Sequence, residues 1–209
     1  RHAFENAITV VLAIGGASNA VLHLIALAHE ADVDIDISLF NTIGKRVPLL
    51  ADMKPYGRYV MADMDAVGGV PSVLKLLLDA GLIHGDCLTV TGKTVAENAR
   101  ETKKPLQNPL VIYTIEHPFA PPENHISILH GNLAPEGCVL KLSGKAKDIF
   151  RGPARVFNSE EEALDAILSG TIHDGVVMVI RYEGPKGGPG MREMLLVSAA
   201  LIGAGKGKT

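Results

Sequence analysis

Apolar positions in the first hundred residues recur at helical spacing and are punctuated by glycine. Residues 5–14 form a mostly apolar helical stretch that Gly15-Gly16 breaks. A second helix is predicted over 18–30, with Ser18 placed to cap it and Val21, Leu22, Leu24, Ile25 and Ala28 on a broad buried face. In "VPSVLKLLLDAG", Pro71 stands just inside the start and Gly81 just past the end, as in a helix. Thr94 and Glu97 have capping-box spacing, so another helix opens there. Beyond Asn108 the pattern changes to short β-prone runs: "LVIYTI", "HISILHG", "CVLKL" and "VVMVIRY", parted by Pro/Gly turns. One helix interrupts them. Ser159 and Glu162 make its capping box, Leu164, Ile167 and Leu168 its apolar face, and Gly170 its end. With "ETKKPLQNP" as linker, the pattern predicts an α/β chain, helix-rich over residues 1–106 and β-rich over 108–209.

The composition is that of an ordinary soluble globular chain: 209 residues, 47% hydrophobic, 21% charged, net charge -3. That balance argues against a nucleic-acid partner, which calls for a basic patch. No run reaches the roughly 18 to 20 apolar residues of a membrane span. Cys87 and Cys138 have no CxxC spacing and are expected to be reduced thiols of a cytoplasmic protein. The chain opens on Arg1 and closes on the glycine-rich "IGAGKGKT", so it is expected to be a piece of a longer protein.

The densest candidate chemistry is "EGPKGGPGMREM", with four glycines and two prolines in positions 183–190. Glycine lets a ligand approach the backbone closely. A helix beginning near Met191 would favour an anion at its N-terminus, with Glu193 in its first turn available to a hard cation. The alternative is a plain turn, with Glu193 favoured only by the helix dipole. "AIGGASNAVLH" has the same form: Ser18 and Asn19 either meet a ligand at the helix start, or Ser18 only caps it. "HGDCLTVTGKT" invites a nucleophile at Cys87, but alternating Thr89, Thr91 and Lys93 favour a structural turn. Asp63 and Asp65 are open between a turn and a metal site. The eight histidines show no HExxH and no pair at ligand spacing, which argues against zinc.

These loops, with "GRYVMADMDAVGGVPSVLKLLLDAGLIHGDCLTVTGKTVAEN" and "ISILHGNLAPEGCVLKLSG", resemble the dihydroxy-acid/phosphogluconate dehydratase family, over essentially the whole chain. "HGDCLTVTGKTVAEN" together with "RYEGPKGGPGMREM" is most similar to its dihydroxy-acid branch. The resemblance implies a hydro-lyase that dehydrates 2,3-dihydroxy acids to 2-keto acids in branched-chain amino-acid biosynthesis. Its alternatives are a sugar-acid dehydratase, or a non-catalytic fragment that keeps a binding or dimerisation surface. It implies an α/β core followed by a swivelling, aconitase-C-terminal-like β/β/α domain, a homodimer, and two cofactors. One is an iron–sulfur cluster, 2Fe-2S or 4Fe-4S, whose ligands lie outside this chain; the other is Mg2+, with Glu193 as one ligand. Ser18, Asn19, Gly188, Gly190 and Met191 are the expected substrate-binding positions. The base, a serine, is expected beyond Thr209, so no catalytic residue falls in this chain, which should be inactive by itself.

Overall fold

The computed structural model describes residues 1–55, 57–102, 110–123, 125–142, 149–184 and 194–206. Helix α1 (His2–Ile14) ends where its sequence says it must: Gly15 takes the left-handed conformation (φ 75°) and donates its N–H to the Val11 carbonyl. Helix α2 (Asn19–Glu30) follows. Ser18 occupies its N-cap position, but the side chain makes no capping hydrogen bond. A capping serine needs extended backbone, and Ser18 is already helical at φ -57°, ψ -27°. The first turn is closed instead by Ala20 N–H on Ala17 O and Val21 N–H on Ser18 O, both 3.1 Å.

Helices α3 (Leu39–Gly44) and α4 (Met61–Ala66) were invisible in the pattern, because six residues cannot display a helical period. Helices α5 (Gly69–Asp79) and α6 (Val95–Glu101) lie where predicted. The α6 box is complete: Thr94 Oγ1 accepts from Glu97 N–H at 3.2 Å, and Glu97 accepts from Thr94 N–H at 2.7 Å.

Strands β1 (Ile126–Leu129) and β2 (Cys138–Lys141) pair antiparallel, with Ile128 opposite Val139. The far edge of β1 is met by a side chain. Asn41 of α3 donates to Ile128 O and accepts from Ile128 N–H, both at 2.8 Å, as a neighbouring strand would. The predicted strand "LVIYTI" is not one. It makes an isolated bridge, Ala51 with Ile112, and Leu49 bridges to Ala120 further on. The ladder is diverted because Leu50 N–H donates to Ala13 O at the end of α1. Ile8, Phe40, Leu50, Met64, Leu77 and Ile112 form the heart of the core here, all fully buried.

The chain divides into two compact units, Arg1–Lys147 and Asp148–Thr209. In the second, β3 (Ala154–Phe157) and β4 (Val177–Ile180) run parallel, Val156 opposite Val179, joined through α7 (Glu160–Leu168). Helix α8 (Leu195–Gly203) packs on α7. Phe157, Ala163, Ile167, Ile172 and Val197 form this core, whereas Leu168, predicted to join it, is exposed. Ala163 and Ala166 take the inward positions, a placement that hydrophobicity alone does not favour over leucine. Ser159 caps α7 as expected, accepting from Glu162 N–H at 3.1 Å. The Glu162 carboxylate, however, reaches Asn158 N–H rather than completing a box on Ser159. Mixed helices and small sheets make the chain α/β.

Candidate functional site

The glycine-rich segment is the connection from β4 to α8, so it leaves the carboxyl end of a parallel strand pair. In open α/β sheets that end is where ligands bind. The root of the segment is stitched down. Buried Glu183 accepts from Glu160 N–H at 2.8 Å, and Arg181 Nε donates to Asn158 Oδ1 at 2.7 Å. β4's exit is thereby tied to the start of α7. Tyr182 (φ 68°) and Met194 (φ 53°) flank the segment in the left-handed region, which non-glycine residues enter at a cost. Glu193, Gly188, Gly190 and Met191 lie outside the described residues. Helix α8 begins at Leu195, not near Met191, and its first turn holds no acidic residue. The expectation of a carboxylate inside that first turn is therefore corrected.

The second glycine turn, 15–19, places half-buried Ser18 and Asn19 at the start of α2. Facing it is a residue that sequence reasoning missed. His125 is 4% exposed and its Nε2 lies 2.9 Å from Gly16 O, so Nε2 carries the proton and donates. Its Nδ1 is buried and meets no hydrogen-bond partner among the described residues. Burial pushes the imidazole down to about 4, against the Gly16 hydrogen bond and helped by the charge of Lys141. His125 is a neutral group here.

The 84–94 segment resolves as structure. Thr89 Oγ1 donates to Lys93 O at 2.8 Å, and Asn98 Nδ2 donates to Thr89 Oγ1 at 2.8 Å. Burial, then the charge of Asp86, push the Cys87 thiol up, the opposite of what a nucleophile needs. Asp63 has a helix-start role: its carboxylate accepts from Val60 N–H at 2.8 Å, at the start of α4. Asp52 and Arg58 form a further site that the sequence did not announce. Buried Asp52 accepts from Arg58 N–H at 3.0 Å and from Arg58 Nε at 2.6 Å. A Cβ at Gly57 would lie 2.3 Å from Asp52 Oδ1, so that brace requires glycine.

Among the described residues, one group of His, Cys, Asp and Glu converges at metal-ligand distances: His2, Glu5 and His84, with donor atoms within 4.8 Å of one another. His2 and His84 thus come together in space although no histidine pair in the sequence has ligand spacing. An iron–sulfur cluster is a different matter. Its usual complement is four protein ligands, chiefly thiolates. This chain has two cysteines, Cys87 half-buried and Cys138 exposed, so its own residues do not fit the group. A cleft of about 620 Å³ between α5, the 88–94 turn and α6 is lined by Pro71, Leu74, Val90 and Val95, and of the two candidate aspartates Asp65 lies on its wall. No helix among the described residues is long and apolar enough to cross a membrane.

Two family models match in tandem. The dihydroxy-acid/6-phosphogluconate dehydratase N-terminal model covers residues 1–98, and the C-terminal model of the same name covers 110–209. The dihydroxy-acid dehydratase of Mycobacterium leprae (strain TN) is 58% identical over 208 residues, 100% of this chain and 37% of that protein. That of Chloroflexus aurantiacus (strain ATCC 29366 / DSM 635 / J-10-fl) is 58% identical over 99% of this chain and 37% of its own length. That of Arthrobacter sp. (strain FB24) is 55% identical over 100% and 36%. The chain spans little more than a third of these relatives.

Proposed function

Since the chain belongs to the dihydroxy-acid/6-phosphogluconate dehydratase family, we propose that the full-length protein is a hydro-lyase acting on 2,3-dihydroxy acids of the 2,3-dihydroxyisovalerate type. The observation that carries this reading is 58% identity, unbroken across both family models, to proteins named dihydroxy-acid dehydratase. In the reaction, the C2 proton is removed, the C3 hydroxyl leaves, and the enol becomes a 2-keto acid, as branched-chain amino-acid biosynthesis requires. Hydroxide is a poor leaving group, and an iron–sulfur cluster with Mg2+ supplies the Lewis acidity when bound. The cluster ligands and the serine base belong to parts of the protein outside these 209 residues.

This chain's share is binding. Glu193 provides one carboxylate to the magnesium, and the backbone at Gly188, Gly190 and Met191 lets substrate come close. Ser18 and Asn19, beside the second glycine turn, offer polar contacts to it. The location of the glycine-rich segment beyond the carboxyl end of β4 supports this reading. We place the domain border at 106–108, between the two matched models and ahead of the Lys147–Asp148 division of the compact units, with the β-rich 108–209 part as a swivelling domain. The active form is a cytoplasmic homodimer with no nucleic-acid or membrane partner.

The test is an anaerobic assay of the full-length protein on 2,3-dihydroxyisovalerate and on an aldonate such as gluconate, with detection of the 2-keto acid. Turnover of the first with little of the second is expected, and a colourless, inactive 209-residue chain by itself. Preference for the aldonate would move the protein to the sugar-acid branch. Turnover of neither would favour a non-catalytic binding role.

A further inference from the structure

His2 and Glu5 lie three residues apart on α1, so their side chains share one face of the helix. His84 comes to them from the segment after α5, and a buried side chain fixes it there. Asn6, 7% exposed, donates Nδ2 to His84 O at 2.8 Å and accepts from His84 N–H at 2.7 Å. Both main-chain polar groups of residue 84 are thus locked onto α1. The imidazole Nε2 then stands 2.8 Å from Glu5 Oε2, and its ring stacks on His2 with centroids 3.9 Å apart and planes 4° from parallel.

We propose that His2, Glu5 and His84 form a binding site for a borderline divalent transition cation such as zinc or cobalt. Two imidazole nitrogens and one carboxylate oxygen are a ligand set that zinc takes, with a fourth position left to water. Magnesium and calcium are disfavoured, since they prefer all-oxygen shells. The donor atoms already lie within 4.8 Å of one another. Tetrahedral zinc needs them roughly 3.3 Å apart, given bonds of about 2.0 to 2.1 Å. His84 and Glu5 therefore separate by about half an ångström. His2 must leave the stack, because a metal lies in the plane of each ligating ring and parallel planes do not meet. His2 is exposed, so its ring is free to turn. Two contacts compete: the Glu5–His84 hydrogen bond itself, and the ion pair from Arg1 Nε to Glu5 Oε1 at 3.1 Å. The second is an exposed i,i+4 pair of the kind that contributes little. Metal uptake would cross-link α1 to the segment after α5, and binding to the native state alone stabilises it.

The experiment is zinc titration of the chelator-treated full chain by calorimetry, repeated with cobalt to read its visible d–d bands. Wild type is expected to bind one zinc saturably and to melt higher with it. His84→Asn and Glu5→Gln should weaken that binding at least tenfold and lose the cobalt bands. His2→Asn, at an exposed helix end, should do the same without disturbing the core, so it decides the matter if His84→Asn misfolds. Absence of saturable zinc binding in wild type, or equal affinity in wild type and His2→Asn, would overturn the proposal. The latter would mean that the metal sits elsewhere or that the cluster is only an ion-pair network.

Discussion

His125 shows how a single buried group converts position into a pH response. Its native pKa is lowered from 6.5 to about 4, chiefly by burial. Between those values the unfolded chain binds a proton that the native chain refuses, so stability falls as pH drops through that window. The full effect is on the order of 3 kcal/mol, reached below pH 4. His125→Gln keeps a donor for Gly16 O but cannot titrate. Urea denaturation at steps from pH 7 to pH 4 should show wild type losing stability faster than the variant, and parallel curves would refute the assignment. None of this was legible in the sequence, where His125 is one histidine in a strand-like run. The same holds for the clamps of Asn6 on His84 and Asn41 on Ile128, whose partners are 78 and 87 residues away. Local pattern carries no information about such long-range pairs.

At the scale of elements, the sequence was informative wherever the signal was local and long enough. α1, α2, α5, α6 and α7 were anticipated from apolar period, glycine ends and cap residues. The six-residue α3 and α4 were not, and the 110–115 stretch, which reads as a strand, makes only the isolated Ala51–Ile112 bridge while Leu50 N–H turns to the Ala13 carbonyl of α1. Cap chemistry gives the sharpest contrast. Thr94 sits in extended backbone and its hydroxyl accepts from Glu97 N–H, whereas Ser18 sits in helical backbone and its hydroxyl caps nothing. Thr94→Ala is expected to cost about 1 kcal/mol. Ser18→Ala should remain within about 0.5 kcal/mol of wild type, like a surface change that breaks no named interaction. Chemical denaturation of both variants checks this; equal losses would mean that Ser18 does cap α2.

At the scale of the whole molecule, the chain spans 36–37% of the length of its relatives, so the proposed activity is that of the longer protein. The family was legible because its glycine-rich stretches are long, unusual strings; one of them joins α1 to α2 and the other follows β4 in the sequence. What stayed illegible was the onset of α8, since alternating charge after glycine suggests a helix start at Met191 and the chain begins its helix at Leu195. Glu193 is the residue on which the functional account turns. In the full-length protein, Glu193→Gln keeps size and hydrogen bonding but removes the negative charge that a hard cation prefers. Turnover of 2,3-dihydroxyisovalerate, followed across a magnesium titration, measures that difference. The account predicts a variant that folds normally, needs far more magnesium, and turns over more slowly even when saturated. Wild-type turnover at every magnesium concentration would contradict it and remove Glu193 from the magnesium site.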